Sequence, residues 1–322
     1  MVEKEKPIAS ISLDLDNQWS YMKIHGDDGW DKYPSYFDIF IPHVLNLLDE
    51  LDIKITFFIV GKDTEQQENL KYLQMINQRG HEVGNHSYNH ESWLQSYSFN
   101  QIKEEIQGAE EAIIRATGQK PQGFRGPGFS WSIDLLRVLE SRDYLYDAST
   151  LPTWLGPLAR KYYFWKSELS KEEIKVRKDL FGKFTEGFHP LKPYYFALGE
   201  GKKIMEIPVT TMPVFKIPFH LSYLLYLSRF SSLLMKAYLN TALFLCKCTG
   251  VRPSFLLHPL DIIGGDKLPE LSFFPGMNLP TEKKVMVFKY VLTKLKVNYN
   301  LVTMNNFASE IQKSELKTLS VF

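Results

Sequence analysis

The chain has 322 residues, of which 44% are hydrophobic and 23% are charged, and its formal net charge is +1. This composition is ordinary for a globular protein, and the length is sufficient to bury a core without disulfides. A near-neutral chain without a basic stripe does not fit nucleic-acid binding, so no nucleic-acid partner is expected. Residues 1–10 lack the apolar core and cleavage site of a signal peptide, which predicts a cytoplasmic protein.

The first half of the chain alternates predicted strands with predicted helices. Residues 8–15 alternate apolar and small polar side chains, which predicts a strand, and residues 36–51 carry apolar positions at helical spacing. Similar patterns predict strands at 53–60, 82–85, 123–125 and 143–147, and helices at 65–79, 100–117 and 131–142. A repeated strand–helix unit predicts a parallel sheet or barrel with right-handed crossovers.

The second half departs from this pattern before returning to it. Residues from about 150 to 203 are rich in aromatics and proline, with a short charged helix predicted near 168–180. We expect an insertion there, over the open face of a single domain that comprises residues 1–322. Later patterns predict a strand at 204–209, a long apolar helix at 221–248, a strand at 254–258 and a helix–strand pair at 282–303.

Ionisable side chains recur at or just beyond the carboxyl ends of different predicted strands. They are Asp14, Asp16, His86, Arg125, Asp147 and His258. In a barrel this face carries the active site. Repetition at one structural position makes the set more informative than any of its members alone.

A metal site is predicted from two histidines and one acid. His86 and His90 are four residues apart, so they would lie on one face of a helical turn and could bind one metal. Asp16 supplies a carboxylate, and this donor set leaves coordination positions for water and substrate. The set favours Zn²⁺, and Co²⁺, Ni²⁺, Mn²⁺ and Fe²⁺ are compatible with it. A histidine pair that only caps or hydrogen-bonds remains an alternative.

Catalytic roles follow for the remaining side chains. Asp14 alternates with Asp16 along one strand, so both can face the site, and Asp14 could take a proton from metal-activated water with Arg125 as its partner. His258 is a candidate general acid whose tautomer Asp147 could fix. Each residue also has a plain structural explanation as a cap, a turn residue or a satisfied core side chain.

Taken in order, these motifs resemble those of the polysaccharide deacetylases, the NodB-homology domains of the carbohydrate esterases. Five segments between Ser12 and Asp261 carry the resemblance, namely Ser12–Asp16, His86–His90, Phe124–Gly128, Tyr144–Ser149 and Leu257–His258. The resemblance implies an α/β fold, a distorted TIM-like (β/α)7 barrel, and a hydrolase that removes the N-acetyl group from an amino sugar.

The resemblance also implies a role for each matching residue. Asp14 resembles the catalytic base that Arg125 orients, and Asp16, His86 and His90 resemble the metal ligands. The backbone N–H of Gly128 corresponds to an oxyanion donor, Asp147 to the acid that orients a histidine, and His258 to the general acid. The spaced acids are similar to the intracellular peptidoglycan-deacetylase-like and allantoinase-like branches, and Leu151 replaces a tryptophan often found after the fourth motif.

The substrate is less defined by the sequence. Nucleotide-linked or lipid-linked acetylated sugars fit a cytoplasmic enzyme better than mature wall polymer. Segment 219–248 is leucine-rich and has only Arg229, Lys236 and Lys247 as charged residues. It fits a buried barrel helix, and it also fits a helix at the inner membrane interface, which would give peripheral membrane contact.

Three other functions remain open. One is a cyclic amidohydrolase of the allantoinase-like type that acts on a small ring amide, which the spaced acids permit. Another is a barrel that binds glycans without catalysis, and a third is an interaction role for the long apolar helix alone. The sequence does not specify an oligomeric state.

Overall fold

The computed structural model describes residues 6–156 and 184–320, which form twelve strands and nine α-helices. The strands are β1 (Ile8–Leu15), β2 (Thr56–Ile59), β3 (Glu82–Asn85), β4 (Gly123–Phe124), β5 (Tyr146–Asp147), β6 (Tyr194–Gly199), β7 (Lys202–Glu206), β8 (Thr211–Met212), β9 (Ile217–Pro218), β10 (Ser254–Leu257), β11 (Asn300–Val302) and β12 (Thr318–Ser320). The helices are α1 (Gln18–His25), α2 (Phe37–Leu51), α3 (Gln67–Gln78), α4 (Phe99–Thr117), α5 (Ile133–Ser141), α6 (Leu221–Ser228), α7 (Ser232–Thr249), α8 (Thr281–Asn298) and α9 (Met304–Ile311).

Seven of the strands form a parallel array in the order β10, β1, β2, β3, β4, β5 and β7. At its edge β6 pairs antiparallel with β7, and β12 pairs parallel with β6. Helices lie between most of the consecutive parallel strands and cover the sheet, as the alternating pattern of the sequence predicts. The predicted α/β fold with a parallel sheet is therefore confirmed.

The two ends of this array approach each other after β7, through a segment that we call the seam (residues 207–210). The amide of Val209 donates to the carbonyl oxygen of Thr150 (2.9 Å), and the amide of Thr210 donates to that of Ser254 in β10 (3.0 Å). The seam thus bridges the β5 side and the β10 side, as in a distorted seven-stranded barrel. No strand ladder joins β7 to β10 in the described residues, so these few bonds make the connection.

Local signals place several helix ends where the sequence predicts them. The hydroxyl of Ser98 accepts from the amide of Gln101 in a capping box at the start of α4. The same helix ends at Gly118, whose φ of +77° is a left-handed conformation that glycine adopts without strain. The helix predicted at 100–117 is therefore confirmed, with one further residue at its start.

The long apolar helix predicted at 221–248 is wrong, because the structure contains two helices, α6 and α7. The interruption occurs at residues 229–231. Ser231 has an extended backbone (φ −161°), and its hydroxyl accepts from the amide of Leu234 (3.3 Å). A serine in this conformation begins a new helix instead of continuing the old one.

The strand predicted at 204–209 ends earlier than expected. It lies at 202–206, where it forms a hairpin with β6. Pro208 has no amide to continue the ladder. Residues 194–203 of the predicted insertion at about 150–203 belong to this hairpin and its turn, whereas the helix predicted near 168–180 lies outside the described residues. The single domain with an insertion stays a prediction.

Candidate active site

Three side chains that could hold a metal converge at the carboxyl ends of β1 and β3. Nε2 of His90 lies 3.0 Å from Oδ1 of Asp16, and Nε2 of His86 lies 3.4 Å from the same oxygen. The ligand atoms of the three residues all lie within 4.8 Å of one another, and all three side chains are buried. The structure therefore brings together the three residues that the sequence predicts as ligands.

The donor set of this cluster fits a divalent metal. Nδ1 of His86 lies 2.6 Å from the carbonyl oxygen of Arg125, so Nδ1 carries the proton and Nε2 presents its lone pair to the cluster. Burial acts to raise the pKa of Asp16, but the neighbouring His90 and His86 outweigh it and hold that pKa well below its usual range. An anionic carboxylate and an oriented imidazole are what metal binding needs. Zinc and other first-row divalent ions are compatible with this set.

The backbone that carries the two histidines is a loop, not a helical turn. Ser87 (φ +62°) and His90 (φ +54°) both lie in the left-handed region, which few residues other than glycine adopt. The helical turn predicted for this pair is therefore wrong. Strained conformations of this kind cluster at functional sites, where the surrounding structure maintains them.

Two side-chain acceptors maintain the loop. Oδ1 of Asn85 accepts from the amide of Ser87 (2.8 Å). Oε2 of Glu105, from α4, accepts from the amides of Tyr88 and Asn89 at 2.9 Å each. These acceptors satisfy amides that a helix would have paired with its own carbonyl groups, so the loop is stable without helical bonds.

Asp14 is held by a buried arginine. Nη1 of Arg125 donates to Oδ1 of Asp14 (2.8 Å) and to the hydroxyl of Ser12 (2.7 Å). Its Nε donates to the carbonyl oxygen of Ala148 (3.0 Å), and the guanidinium lies 4.5 Å from the ring centre of Phe58. These contacts fix one oxygen of Asp14 and balance its charge in a buried environment.

His258 faces the other oxygen of the same carboxylate. Its Nε2 lies 4.0 Å from Oδ2 of Asp14, and its Nδ1 lies 3.6 Å from Oδ2 of Asp261. Burial acts to lower the pKa of His258, but Asp261 first and then Asp14 outweigh it and raise that pKa to about 9. The imidazole is therefore cationic near neutral pH and able to donate a proton from Nε2.

The sequence predicts that Asp147 contacts His258. In the part of the chain that the structure describes, no hydrogen bond or ion pair joins the two side chains. Among the described residues Asp147 accepts from the hydroxyl of Ser149 (2.6 Å), and that hydroxyl accepts from the amide of Gly126 (2.8 Å). Asp147 also lies opposite Glu206 in the pairing of β5 with β7. Its side chain thus supports the turn after Arg125.

Gly128 lies in that turn, which comprises Pro127–Phe129. Its φ of +61° is a conformation that glycine adopts freely. The chain from Asp147 through Ser149 fixes the amide of Gly126 two residues earlier. The assignment of the Gly128 N–H as an oxyanion donor stays a prediction.

Three buried residues of the site were missed by sequence reasoning. Asp261 is three residues after His258, and this spacing was a usable signal. Glu105 lies in the middle of a helix and gives no signal. His220 directly precedes α6 and was also missed, although its ring centre lies 6.1 Å from that of His258. Burial, followed by the nearby charge of His258, lowers the pKa of His220 to about 4, so this ring is neutral.

Comparison with known proteins shows a similarity to a known family over part of the chain. Residues 23–146 match the family model described as polysaccharide deacetylase. This segment is therefore similar to the polysaccharide deacetylases. It contains His86, His90 and Arg125, whereas Asp14, Asp16, Asp147 and His258 lie outside the match and are assigned from motif order and geometry.

Curated relatives of the family match the chain over limited lengths. A peptidoglycan-N-acetylglucosamine deacetylase from Bacillus cereus is 32% identical over 88 residues, which cover 27% of this chain and 31% of the relative. The peptidoglycan-N-acetylmuramic acid deacetylase PdaA of Bacillus subtilis is 28% identical over 92 residues, which cover 29% of this chain and 34% of the relative. The chain thus spans about a third of the length of these relatives.

A solved structure from Mycobacterium smegmatis, whose title assigns it to the polysaccharide deacetylases, resembles the whole chain. The TM-score is 0.60 at 18% sequence identity, and the alignment covers 99% of this chain and 95% of the other. At this identity the likeness concerns the fold. It agrees with the deacetylase barrel that the motif resemblance implies.

Proposed function

We propose that the protein is a metal-dependent carbohydrate N-deacetylase that hydrolyses the N-acetyl group of an amino sugar. One observation carries the proposal. Asp14 lies between the cation of Arg125 and the proton donor His258, two residues along β1 from Asp16 of the metal-binding cluster. A base, an acid and a metal-binding cluster at one barrel rim form the machinery for hydrolysing an amide.

Each side chain has a defined part in this reaction. Asp16, His86 and His90 would hold the metal, which when bound supplies Lewis-acid chemistry for an amide carbonyl and a water molecule. Asp14 accepts a proton from the attacking water while Arg125 fixes its orientation. His258 donates a proton from Nε2 to the departing amine, so acetate and a free amino sugar are released.

The first test measures metal content and acetate release together. Asp14→Asn is expected to lower kcat by about 10²–10⁴-fold, because proton transfer is lost, and to leave bound metal unchanged. His86→Ala is expected to lose the metal as well as the activity. Asp134→Asn on α5 is the matched control at a partly exposed carboxylate. Near wild-type turnover by Asp14→Asn would show that another group is the base.

The names of the relatives support the proposed class of substrate. Two of them are named for N-acetylglucosamine or N-acetylmuramic acid in peptidoglycan. For this chain we propose a nucleotide- or lipid-linked acetylated sugar, in line with the cytoplasmic location and peripheral membrane contact expected from the sequence. An acetate-release screen over nucleotide sugars, lipid-linked sugars and chitooligosaccharides separates these classes.

A cyclic amidohydrolase is the second candidate, and the spacing of Asp14-Leu15-Asp16 favours it. Ring opening of a small cyclic amide without acetate release from any acetylated sugar would select it. A barrel that only binds glycans would bind the sugars and release no acetate. The presence of the base, the acid and the ligand cluster in one site argues against that barrel.

A further inference from the structure

Exposed apolar side chains cluster where α6 turns into α7, in a region that we call the apolar corner (residues 226–234). Tyr226, Phe230, Leu233 and Leu234 are 57%, 69%, 76% and 49% exposed, respectively. Single exposed apolar residues are common on any protein. Here four large ones lie within nine residues, and the ring centres of Tyr226 and Phe230 are 5.2 Å apart, as in patches that contact a partner.

The charged residues of the surrounding stretch of sequence are all basic. The sequence contains no acidic residue between Glu206 and Asp261, and the basic residues of this stretch are Lys216, Arg229, Lys236, Lys247 and Arg252. Arg229 lies within the corner, and Lys236 lies two residues beyond its end. Both side chains are exposed. Aromatic and aliphatic side chains beside cations complement a surface with an apolar interior and anionic headgroups.

The corner lies near the opening of the proposed active site. α6 begins directly after His220, whose ring is beside that of His258, and its eight residues extend for about 12 Å. α7 then leads back through Gly250 to the start of β10, so α7 begins on the side of the sheet where the strands end. A surface that contacted the corner would therefore be separated from His220 and His258 by the length of this short helix.

We propose that the apolar corner docks on an anionic lipid bilayer. The apolar side chains enter the boundary between headgroups and acyl chains, while Arg229 and Lys236 contact anionic headgroups. No helix of the described residues is long and apolar enough to cross a bilayer, so the contact is peripheral. Combined with the proposed function, on which this step rests, docking would present the site to acetylated sugars held on a membrane lipid.

The test is co-sedimentation of the full chain with two kinds of vesicle at low salt. One contains phosphatidylcholine alone, and the other contains equal parts of phosphatidylcholine and phosphatidylglycerol. The wild type is expected to bind the anionic vesicles, and binding should weaken as salt is added. The double variant Arg229→Glu with Lys236→Glu should lower the partition coefficient at least about tenfold. The matched control reverses two exposed cations elsewhere, Lys103→Glu and Lys120→Glu, and should retain binding.

A second pair of variants tests the apolar contribution. Phe230→Ser with Leu233→Ser is expected to abolish vesicle binding. Met286→Ser with Val297→Ser, at residues 57% and 60% exposed on α8, should leave it unchanged. Failure of the wild type to bind anionic vesicles, or equal binding by the corner variants, would overturn the proposal. Loss of a dimer in the Phe230 and Leu233 variant, without vesicle binding by the wild type, would assign the corner to self-association instead.

Failure of the docking proposal is distinguishable from failure of the proposed function. The corner variants touch no catalytic residue, so their acetate release from a soluble chitooligosaccharide should equal that of the wild type. Vesicle binding without any acetate release would overturn the deacetylase and leave the lipid contact. Acetate release without vesicle binding would overturn the lipid contact and leave the deacetylase.

Discussion

His258 and Asp261 lie on either side of Pro259 and Leu260, at the end of β10. The carboxylate accepts from the backbone amide of His258 (3.1 Å) and from the hydroxyl of Ser222 (3.0 Å), which fixes it beside the imidazole. A buried histidine without such a partner would lose its proton, as the neighbouring His220 does. The acid of the proposed reaction therefore depends on a carboxylate that touches no substrate.

Asp261→Asn is predicted to move the basic limb of the kcat–pH profile to lower pH. Asp261 helps to raise the pKa of His258 to about 9, so its removal lets that pKa fall toward its ordinary value of about 6.5. His258 then loses its proton over a pH range in which the wild type keeps it. Acetate release measured across the pH range checks this, with Asp134→Asn as control. An unshifted basic limb would contradict the role of Asp261.

At this scale the sequence predicts much of the site. Asp14, Asp16, His86, Arg125 and His258 stand at strand ends, and parallel strands present their ends at one rim. What cannot be predicted is the exact partner of each side chain. Asp147 also stands at a strand end, but its contacts depend on how β5 and β7 pack, and no local pattern encodes that.

The loop from His86 to His90 depends on a helix that is distant in sequence, α4. Its amides are held by the carboxylate of Glu105, which is 6% exposed and lies one to two turns into α4. Apolar periodicity identifies α4 and β3 as elements, but it does not reveal a polar contact between them. The four-residue spacing of the histidines predicted a helical turn, but the same spacing occurs in this loop.

Glu105→Gln is predicted to weaken metal binding by about 10–100-fold, as is typical when support for a ligand is lost. Oε2 of Glu105 accepts from both backbone amides, and its Oε1 accepts from Nδ2 of Asn89. The glutamine keeps one acceptor oxygen, so its NH2 group must face one of these donors and the loop loses part of its support. Zinc titration monitored by calorimetry measures the change. The control is Glu104→Gln at an exposed neighbour. Equal zinc affinity of the two variants would show that the loop is stable without Glu105.

The two faces of α7 should respond differently to truncation. Leu239 is completely buried, so Leu239→Ala is predicted to lower the free energy of unfolding by about 2–5 kcal/mol. Leu233 is 76% exposed, so Leu233→Ala is predicted to change it by less than about 0.5 kcal/mol. Urea unfolding of both variants checks the pair. A similar loss of unfolding free energy in the two variants would mean that the apolar corner is covered in solution.

In the molecule as a whole, two carboxylates lie opposite each other where β5 pairs with β7. Asp147 and Glu206 are both completely buried, and Oε1 of Glu206 accepts from the amide (2.9 Å) and hydroxyl (2.6 Å) of Thr150. Burial raises the pKa of Asp147 to about 6, and burial together with the charge of Asp147 raises the pKa of Glu206 well above its ordinary value. Two ionised carboxylates at this contact are therefore unfavourable.

Glu206→Gln is predicted to become more stable relative to the wild type as pH rises from about 5 to about 8. A carboxyl whose pKa is raised by folding binds more protons in the folded state, so its favourable contribution is present at low pH and is lost as pH rises. The glutamine keeps an oxygen for Thr150 and removes this dependence. Urea unfolding at both pH values measures it, with Glu104→Gln as control. A difference that is independent of pH would contradict the raised pKa of Glu206.

The order of strands and helices is the level at which the sequence is most predictive. β1 and β3 have the predicted bounds, because strict alternation and flanking turns define them. The hairpin of β6 with β7 and the interruption between α6 and α7 escape such patterns. Tertiary pairing decides the first, and the capping serine Ser231, in a short polar interruption of an apolar stretch, decides the second.

In the described residues, the seam lacks the strand ladder found at the other boundaries of the parallel array. Elsewhere in the described array, adjacent parallel strands share ladders, whereas between β7 and β10 the connection depends on isolated bonds such as that from Thr210 to Ser254. Thr150 on one side follows Asp147, and Ser254 on the other leads to His258. β10, which leads to His258, is joined to β1 by a four-pair ladder, and β1 is joined through β2 to β3 in the same way. The proposed acid, the proposed base and the Asp16, His86 and His90 cluster therefore lie on one continuously paired part of the sheet. Widening at the seam would move residues 147–150 away from this part and leave the proposed catalytic groups together.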